Sequence, residues 1–308
     1  MDRINGEMHP LITKDVAEAL ISKQIHTVLD FIKAEPQQVV KAARLNFREV
    51  LAVRNFLLKK FSAGPRNGFD CYRDTINNAA IIPTGIKGVD NLLDGGLFTG
   101  NIYEICGLPA AGKTQFALNV IKNVVQNTQQ HVYVFDTKND YSGAKIKSLL
   151  NEQKHQRNCL SRILVSRATT KYDLINGLYE VKKDLERGLK LRLIIIDSLP
   201  CTILNSIDRI ENNASLNHLV NIMRYVAIEH HIVFLVVNLI VTWNENDGRD
   251  TVEKTLCGKY WSTVPNTRIK IEKVESSGMY KVVIQNSDTL VNKLNSGTDI
   301  RLSNEGFL

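Results

Sequence analysis

Eight consecutive residues near the middle of this 308-residue chain constrain its fold more than any other feature. They read Gly-Leu-Pro-Ala-Ala-Gly-Lys-Thr from Gly107 to Thr114 and fit the pattern G-x-x-x-x-G-K-[S/T]. An apolar run typical of a buried strand precedes them, and an amphipathic helical pattern follows. In this context the glycines let the main chain wrap a phosphate with its N–H groups pointing inward, and the helix N-terminus adds partial positive charge. The segment therefore predicts a phosphate-binding loop between a strand and a helix.

The loop and one later carboxylate predict a site for ATP and Mg²⁺. Lys113 is expected to reach the β- and γ-phosphates, and the Thr114 hydroxyl to ligate Mg²⁺. Asp197 ends the apolar run Leu193–Ile196, where a carboxylate holds the metal through its water shell. Buried strands often end in a polar residue, but the order of Asp197 after the loop favours this role. The predicted ATP-binding residues are Gly107, Leu108, Pro109, Ala110, Ala111, Gly112, Lys113 and Thr114, with Thr114 and Asp197 for Mg²⁺.

Alternating strands and helices predict an α/β fold. Apolar runs at Ile102–Cys106, Val132–Phe135, Ile163–Val165, Leu193–Ile196 and Ile232–Val237 are separated by helical patterns at about 113–126, 171–187 and 214–229. This alternation is typical of a mostly parallel sheet with helices on both faces. The last 40 or so residues alternate in strand fashion between turns, which predicts antiparallel strands at one edge.

The beginning of the chain differs, because its apolar residues recur only at helical spacing. Pro36 suits the first turn of a helix, and Thr13 suits the position that precedes one. We expect a small all-α domain at 1–61, a linker at 62–82 that begins in the breaker-rich Ser62–Gly68, and an α/β core at 83–308.

Composition adds little to the prediction of fold and function. The chain carries 39 Lys and Arg against 32 Asp and Glu, a net charge of +7, which permits contact with nucleic acid without requiring it. Five cysteines, none at CxxC spacing, predict reduced thiols of an intracellular protein. No stretch predicts a secretory signal or a membrane span.

The segment that enters the loop carries a more specific resemblance. Thr84 to Leu97, followed by Gly100 and Glu104, resembles the entry to the core of RecA-type recombinases. Asn67-Gly68 and Asp70, and later Trp261-Ser262 with Thr267-Arg268-Ile269, resemble the D-type paralogues of the eukaryotic RecA-family strand-exchange recombinase. The resemblance implies a RecA-like P-loop ATPase core and a nuclear role in homologous-recombination DNA repair. It also implies a subunit of a heteromeric paralogue complex that assists recombinase loading on single-stranded DNA.

Two positions depart from the pattern of active recombinases. Lys138 stands where the family carries the glutamate that orients the attacking water. An ammonium cannot accept a proton from that water, as a carboxylate can. Asp140 lies two residues on and is the alternative base, although a small displacement costs much rate. We expect ATP to bind and to turn over slowly. Asn238 ends the run Ile232–Val237, where the family senses the γ-phosphate, but the residue equally suits a strand cap.

The remaining expectations concern partners. The two stretches that correspond to the DNA loops, about 205–215 and 241–256, are both net negative, so single-stranded or branched DNA should bind weakly to the chain alone. Trp243 is a candidate stacking platform or a core residue. The polymerisation element Phe-x-x-Ala is off register at Phe61, which favours hetero-oligomers with other paralogues. An autonomous strand-exchange recombinase is the alternative, and a small-molecule kinase is disfavoured by the Thr84–Leu97 entry.

Overall fold

The computed structural model describes residues 3–62, 64–150, 156–204, 209–245, 250–274, 278–303 and 306–307. The chain divides into two compact units, Met1–Arg73 and Asp74–Leu308. Within the described ranges, no helix combines the length and the apolar character that crossing a membrane requires.

The first unit is a small helical bundle, as the periodicity predicts. Its helices are α1 (Lys14–Ser22), α2 (Val28–Lys33), α3 (Pro36–Ala43) and α4 (Phe47–Phe61). Thr13 caps α1, and Pro36 occupies the first turn of α3. Capping boxes begin α2 at Thr27 and α4 at Asn46, and each satisfies two backbone donors. The core of the bundle is apolar and includes the fully buried Phe31 and Leu57.

The second unit contains a nine-stranded mixed sheet. The strands, in chain order, are β1 (Ile81–Ile82), β2 (Leu97–Phe98), β3 (Ile102–Cys106), β4 (His131–Asp136), β5 (Ile163–Arg167), β6 (Leu191–Asp197), β7 (Val233–Val237), β8 (Ile240–Glu245), β9 (Asp250–Thr255), β10 (Thr267–Lys273), β11 (Met279–Ser287), β12 (Gly297–Ser303) and β13 (Gly306–Phe307). The order in the main sheet is β13-β12-β11-β10-β3-β7-β6-β4-β5. Strands β10, β3, β7, β6, β4 and β5 are parallel, and β10 to β13 pair antiparallel. The predicted α/β class with antiparallel C-terminal strands is confirmed.

Helices cover both faces of the sheet. They are α6 (Lys87–Leu92), α7 (Lys113–Asn127), α8 (Gly143–Leu149), α9 (Gln156–Ser161), α10 (Lys171–Glu186), α11 (Leu199–Ile203), α12 (Arg209–Glu229) and α13 (Gly258–Ser262). Helix α5 (Gly68–Asn78) precedes them in the chain and has no buried residue. One core cluster joins one face to α6 to α9 around Phe116, and a second joins the other face to α10 to α12 around Leu219. The buried parallel strands read as continuous apolar runs because both of their faces are covered.

The structure differs from the sequence expectations at three places. Helix α12 begins at Arg209, inside the first expected DNA loop at about 205–215. The expected linker contains the helix α5, which begins after Asn67, whose side chain accepts a hydrogen bond from the Asp70 N–H at 2.8 Å. The second expected DNA loop contains the antiparallel hairpin β8–β9, in which Trp243 pairs with Val252. Both strands carry β-branched residues, and β8 also contains Trp243; such residues favour extended strands.

Candidate functional site

The loop Gly107–Thr114 connects β3 to α7 and is held by close backbone packing. A Cβ on Gly107 would lie 2.3 Å from the carbonyl oxygen of Ile271 in β10, so this position has no room for a side chain. Gly112 precedes α7 with a φ of 87°, a left-handed conformation that glycine adopts without strain. The Lys113 ammonium donates hydrogen bonds to the carbonyl oxygens of Gly107 at 2.9 Å and Leu108 at 2.6 Å. The lysine therefore braces the loop that it belongs to.

Replacement of Gly107 by alanine should destabilise the fold itself. The new Cβ would push the loop away from Ile271, and such overpacking costs about 1–3 kcal/mol. Urea unfolding of Gly107→Ala should show a loss in this range. Gly143→Ala is the matched control, because no atom lies within 4 Å of its added Cβ. Equal unfolding free energies for the two variants would contradict the packing described for the loop.

Aromatic side chains support the loop from behind. A Cβ on Gly112 would lie 2.9 Å from Cζ of Phe307 and 3.2 Å from Cε1 of Tyr280. The Tyr280 and Phe307 rings pack edge to face with centroids 5.1 Å apart. Strands β11 and β13 thus place an aromatic pair directly against the residue that starts α7.

The carboxyl ends of the central strands meet in front of the loop. Asp136 at the end of β4 is opposite Asp197 at the end of β6, and both residues are buried. An open cleft of about 490 Å³ is lined by the loop together with Lys138, Asp140, Lys145 and residues of β11 and β12. Ligands of open α/β sheets bind at this edge. The structure therefore brings the predicted site residues Lys113, Thr114 and Asp197 to one place.

Lys138 lies inside this arrangement, close to both predicted Mg²⁺ ligands. Its ammonium is 2.8 Å from Asp197 Oδ1 and 3.3 Å from Asp140 Oδ2. It is also 3.5 Å from Thr114 Oγ1, at the outer limit of a hydrogen bond. Burial lowers the pKa of Lys138, but the charges and hydrogen bonds of Asp197 and Asp140 outweigh it, and the net pKa is raised.

The electrostatics of Lys113 differ from those of Lys138. Burial and, next, the like charge of Lys138 lower the pKa of Lys113 to about 8. Two ammonium groups thus face one cleft, and an arriving polyphosphate anion would stabilise the charged form of both. Among the described side chains that line the cleft, Asp140 carries the only carboxylate. That carboxylate is paired with Lys138, so it is not positioned as an independent base for an attacking water.

The turn that carries Lys138 is fixed by Asp136. The buried Asp136 carboxylate accepts hydrogen bonds from the backbone N–H groups of Lys138, Asp140 and Tyr141 at 3.2, 3.1 and 3.0 Å. Asn139 closes the turn with a left-handed φ of 62°. The Tyr141 hydroxyl donates to Asp197 Oδ2 at 3.1 Å, and burial, followed by the charge of Asp197, raises the Tyr141 pKa well above its usual range. Asp197 Oδ2 therefore has a hydrogen-bond donor, whereas the buried Asp197 Oδ1 makes no hydrogen bond within the described residues and faces the Lys138 ammonium at 2.8 Å as an ion pair.

Asn238 contacts a buried carboxylate. Its amide nitrogen donates to Glu104 Oε1 at 2.6 Å and to the Leu256 carbonyl at 3.0 Å. Glu104 Oε1 also accepts from the Trp261 indole at 2.8 Å, and Glu104 Oε2 pairs with Arg268. In this arrangement the amide of Asn238 ties the end of β7 to its neighbours, as a strand cap does.

The sequence did not reveal the roles of Asp136 and Tyr141, or that Glu104 is a buried carboxylate with three side-chain partners. Asp136 had a readable signal, because it ends an apolar run in the same way as Asp197. Glu104 stands inside the run Ile102–Cys106, where a charge is unusual in a strand buried on both faces. Tyr141 had no such signal, since only the folded turn brings its hydroxyl to Asp197.

The expected DNA loops are described only in part. Asp208, Asp247 and Arg249 lie outside the described residues, as does Ala63 of the Phe61 element. Two acidic side chains of these stretches are paired: Glu211 lies 2.8 Å from the Lys171 ammonium, and Glu253 pairs with Lys270. Phe61 is the last residue of α4.

Family models match both units of the chain. The family model for the N-terminal domain of RAD51D matches residues 1–60, and the Rad51 family model matches residues 76–298. The DNA repair protein RAD51 homolog 4 of Bos taurus is 31% identical over 290 residues, which cover 90% of this chain and 87% of the relative. The probable homolog 4 of Dictyostelium discoideum is 24% identical and covers 77% of this chain and 78% of the relative.

A solved structure shows the same fold. The crystal structure of the RadB recombinase aligns with a TM-score of 0.62 and 18% identity, and the match covers 74% of this chain and 98% of that one. This likeness concerns the fold alone, a RecA-like core. The family matches over both units and the 31% identity to RAD51 homolog 4 show that the chain belongs to the Rad51 family, in its RAD51D branch.

Proposed function

We propose that the chain binds ATP in the loop Gly107–Thr114 and acts as an ATP-binding subunit rather than a fast ATPase. The observation that supports this proposal is the geometry of the loop. It has no room for a Cβ at Gly107, and Lys113 at the start of α7 donates hydrogen bonds to two of the loop's own carbonyl groups. Rad51-family proteins are nucleotide-binding proteins that use Mg²⁺. Calorimetry of the purified full chain with ATP, in Mg²⁺ and in EDTA, tests the proposal, and no heat of binding in either buffer would refute it.

Hydrolysis should be slow because the catalytic glutamate position holds Lys138. The Lys138 ammonium forms ion pairs with Asp197 and Asp140, so these carboxylates contact a cation rather than an attacking water. Ordinary enzymes turn over at about 1 s⁻¹ or faster. We expect the isolated chain to remain below that rate in a steady-state phosphate-release assay with and without DNA. Turnover at or above it would show that Asp140, or another group, serves as the base.

Assembly with other recombinase paralogues is the second part of the proposal. Relatives of this chain include RAD51 homolog 2 of Homo sapiens and RAD51 homolog 3 of Dictyostelium discoideum, each 22% identical. We propose a nuclear, heteromeric paralogue complex that assists recombinase loading on single-stranded DNA during homologous recombination. Co-purification with tagged homolog 2 and homolog 3 proteins tests it. A chain that forms homofilaments and retains neither paralogue would contradict it.

DNA contact by the chain alone should be weak. The acidic side chains Glu211 and Glu253 pair with Lys171 and Lys270, which reduces the positive charge available to a phosphate backbone. We expect a dissociation constant for oligo-dT of about a micromolar or weaker at physiological salt, measured by fluorescence anisotropy. Tight binding combined with strand exchange by the purified chain would instead support an autonomous recombinase.

A further inference from the structure

Lys138 occupies the part of the site that a nucleotide-bound metal would need. Mg²⁺ takes near-octahedral oxygen coordination at about 2.0–2.1 Å and keeps several waters. The oxygens expected to receive it are Thr114 Oγ1 and Asp197, and the Lys138 ammonium lies 3.5 Å from the first and 2.8 Å from the second. A divalent ion placed among them would meet the ammonium at short range, where two positive charges repel. As arranged here, these residues do not fit the metal.

The position of Lys138 is built into the fold rather than left to a loose side chain. Asp136 fixes the backbone of the turn through three N–H groups, one of which belongs to Lys138. Asp197 and Asp140 hold the ammonium, whose side chain is only 31% exposed. The second oxygen of Asp197 accepts from Tyr141. Asp197 Oδ1 is buried and makes no hydrogen bond in the described part of the chain, so the Lys138 ammonium 2.8 Å away is the group that offsets its charge.

The Lys138 ammonium can also take the place of the metal as the positive group that contacts phosphate. An ammonium offers three donors and a compact positive charge, and lysine is a common phosphate ligand. Lys113 and Lys138 line the same cleft, so a triphosphate in the loop would face one lysine from the helix start and one from the turn after β4. A tethered cation loses little freedom on binding, because its carboxylate partners already restrict it.

We propose that the Lys138 ammonium is the built-in cation of this site, so that the chain binds ATP without Mg²⁺. This inference depends on the proposed binding of ATP to Gly107–Thr114. It assigns to Lys138 a direct contact with the phosphates, and it makes Asp197 and Asp140 the groups that position the lysine. The nucleotide that the chain holds is then free ATP rather than the Mg²⁺ complex.

The test measures ATP affinity by equilibrium dialysis in Mg²⁺ and in EDTA at matched ionic strength. Wild type should bind ATP in EDTA at least as tightly as in Mg²⁺, because Mg²⁺ in solution competes with the chain for free ATP. Lys138→Met should lose about tenfold or more in EDTA, the equivalent of one charge-assisted hydrogen bond. It should regain most of that affinity in Mg²⁺, because the metal can then enter between Thr114 and Asp197.

Lys145→Met is the matched control. Lys145 lines the same cleft, and its ammonium donates to the Asp140 backbone carbonyl at 3.2 Å instead of to Asp197. Its loss removes the same charge, so any effect on ATP affinity should be equal in the two buffers. Melting temperatures without nucleotide establish that each variant folds, and Lys138→Gln replaces Lys138→Met if the latter does not.

The outcomes separate this inference from the proposed function. Wild type that binds ATP at least tenfold more weakly in EDTA overturns the built-in cation, as does a folded Lys138 variant with wild-type affinity in EDTA. Absence of ATP binding by wild type in both buffers overturns the proposed function instead. The wild-type comparison decides the inference even if neither Lys138 variant folds.

Discussion

Lys113→Ala should reduce ATP affinity by about 100-fold while the chain remains folded. The variant removes the ammonium that begins α7 and braces Gly107 and Leu108. A charge-assisted hydrogen bond contributes about 1.5–3 kcal/mol, and 100-fold in affinity corresponds to about 2.7 kcal/mol. Equilibrium dialysis with ATP, under the buffer in which wild type binds best, measures the loss. Circular dichroism establishes that the helices persist.

Lys122→Ala is the control for this variant. Lys122 belongs to the same helix α7 but is not among the described residues that line the cleft. Its removal should leave ATP affinity within about twofold of wild type, since surface charge contributes little at this range. If Lys113→Ala binds ATP normally, the assignment of Gly107–Thr114 as the ATP-binding loop is wrong. If it binds neither ATP nor the paralogues, nucleotide is a structural part of the assembly.

Glu104→Gln should be the most destabilising conservative change in the second unit. Glu104 is fully buried, accepts from Asn238 and Trp261 through Oε1, and pairs with Arg268 through Oε2. An amide must turn its NH₂ group either toward those two donors or toward the guanidinium. Removing one partner of a buried ion pair costs about 3–5 kcal/mol. The unfolding free energy from urea titration should fall by that amount.

Glu253→Gln makes the same chemical change in an exposed ion pair. Glu253 pairs with Lys270, and its side chain is 37% exposed, so water replaces the lost interaction at a cost below about 1 kcal/mol. A Glu104→Gln variant that is no less stable than Glu253→Gln would show that the buried carboxylate is not the hub that its three contacts indicate. The comparison isolates burial, because the substitution is identical.

Much of the central sheet could be predicted from the sequence. The run Ile102–Cys106 is observed with the same bounds, and the run Leu193–Ile196 lies within β6. These strands are readable because burial on both faces demands unbroken apolar residues. Helix α5 was missed because none of its residues is buried, so no apolar stripe marks it. Its signal was the capping residue Asn67, which follows a stretch rich in breakers.

The site was predictable only as a set of positions. The loop and Asp197 follow from motif and order, and the departure at Lys138 is visible in the sequence. The partners of Lys138 are not visible in the sequence. Asp197 reaches it through the register of β4 beside β6, and Thr114 reaches it from the first turn of α7. The sequence alone shows that the catalytic glutamate is replaced by Lys138. Only the folded structure shows that the lysine lies among the expected metal ligands.

The aromatic pair behind the loop has a practical consequence for handling the protein. Phe307 is part of β13, an outer strand of the sheet, and its ring lies against Gly112, the loop residue that immediately precedes α7. Removal of that strand would take away the aromatic support under the loop and change nucleotide affinity without touching a ligand-contacting residue. Expression designs for binding measurements should therefore retain Gly306–Phe307.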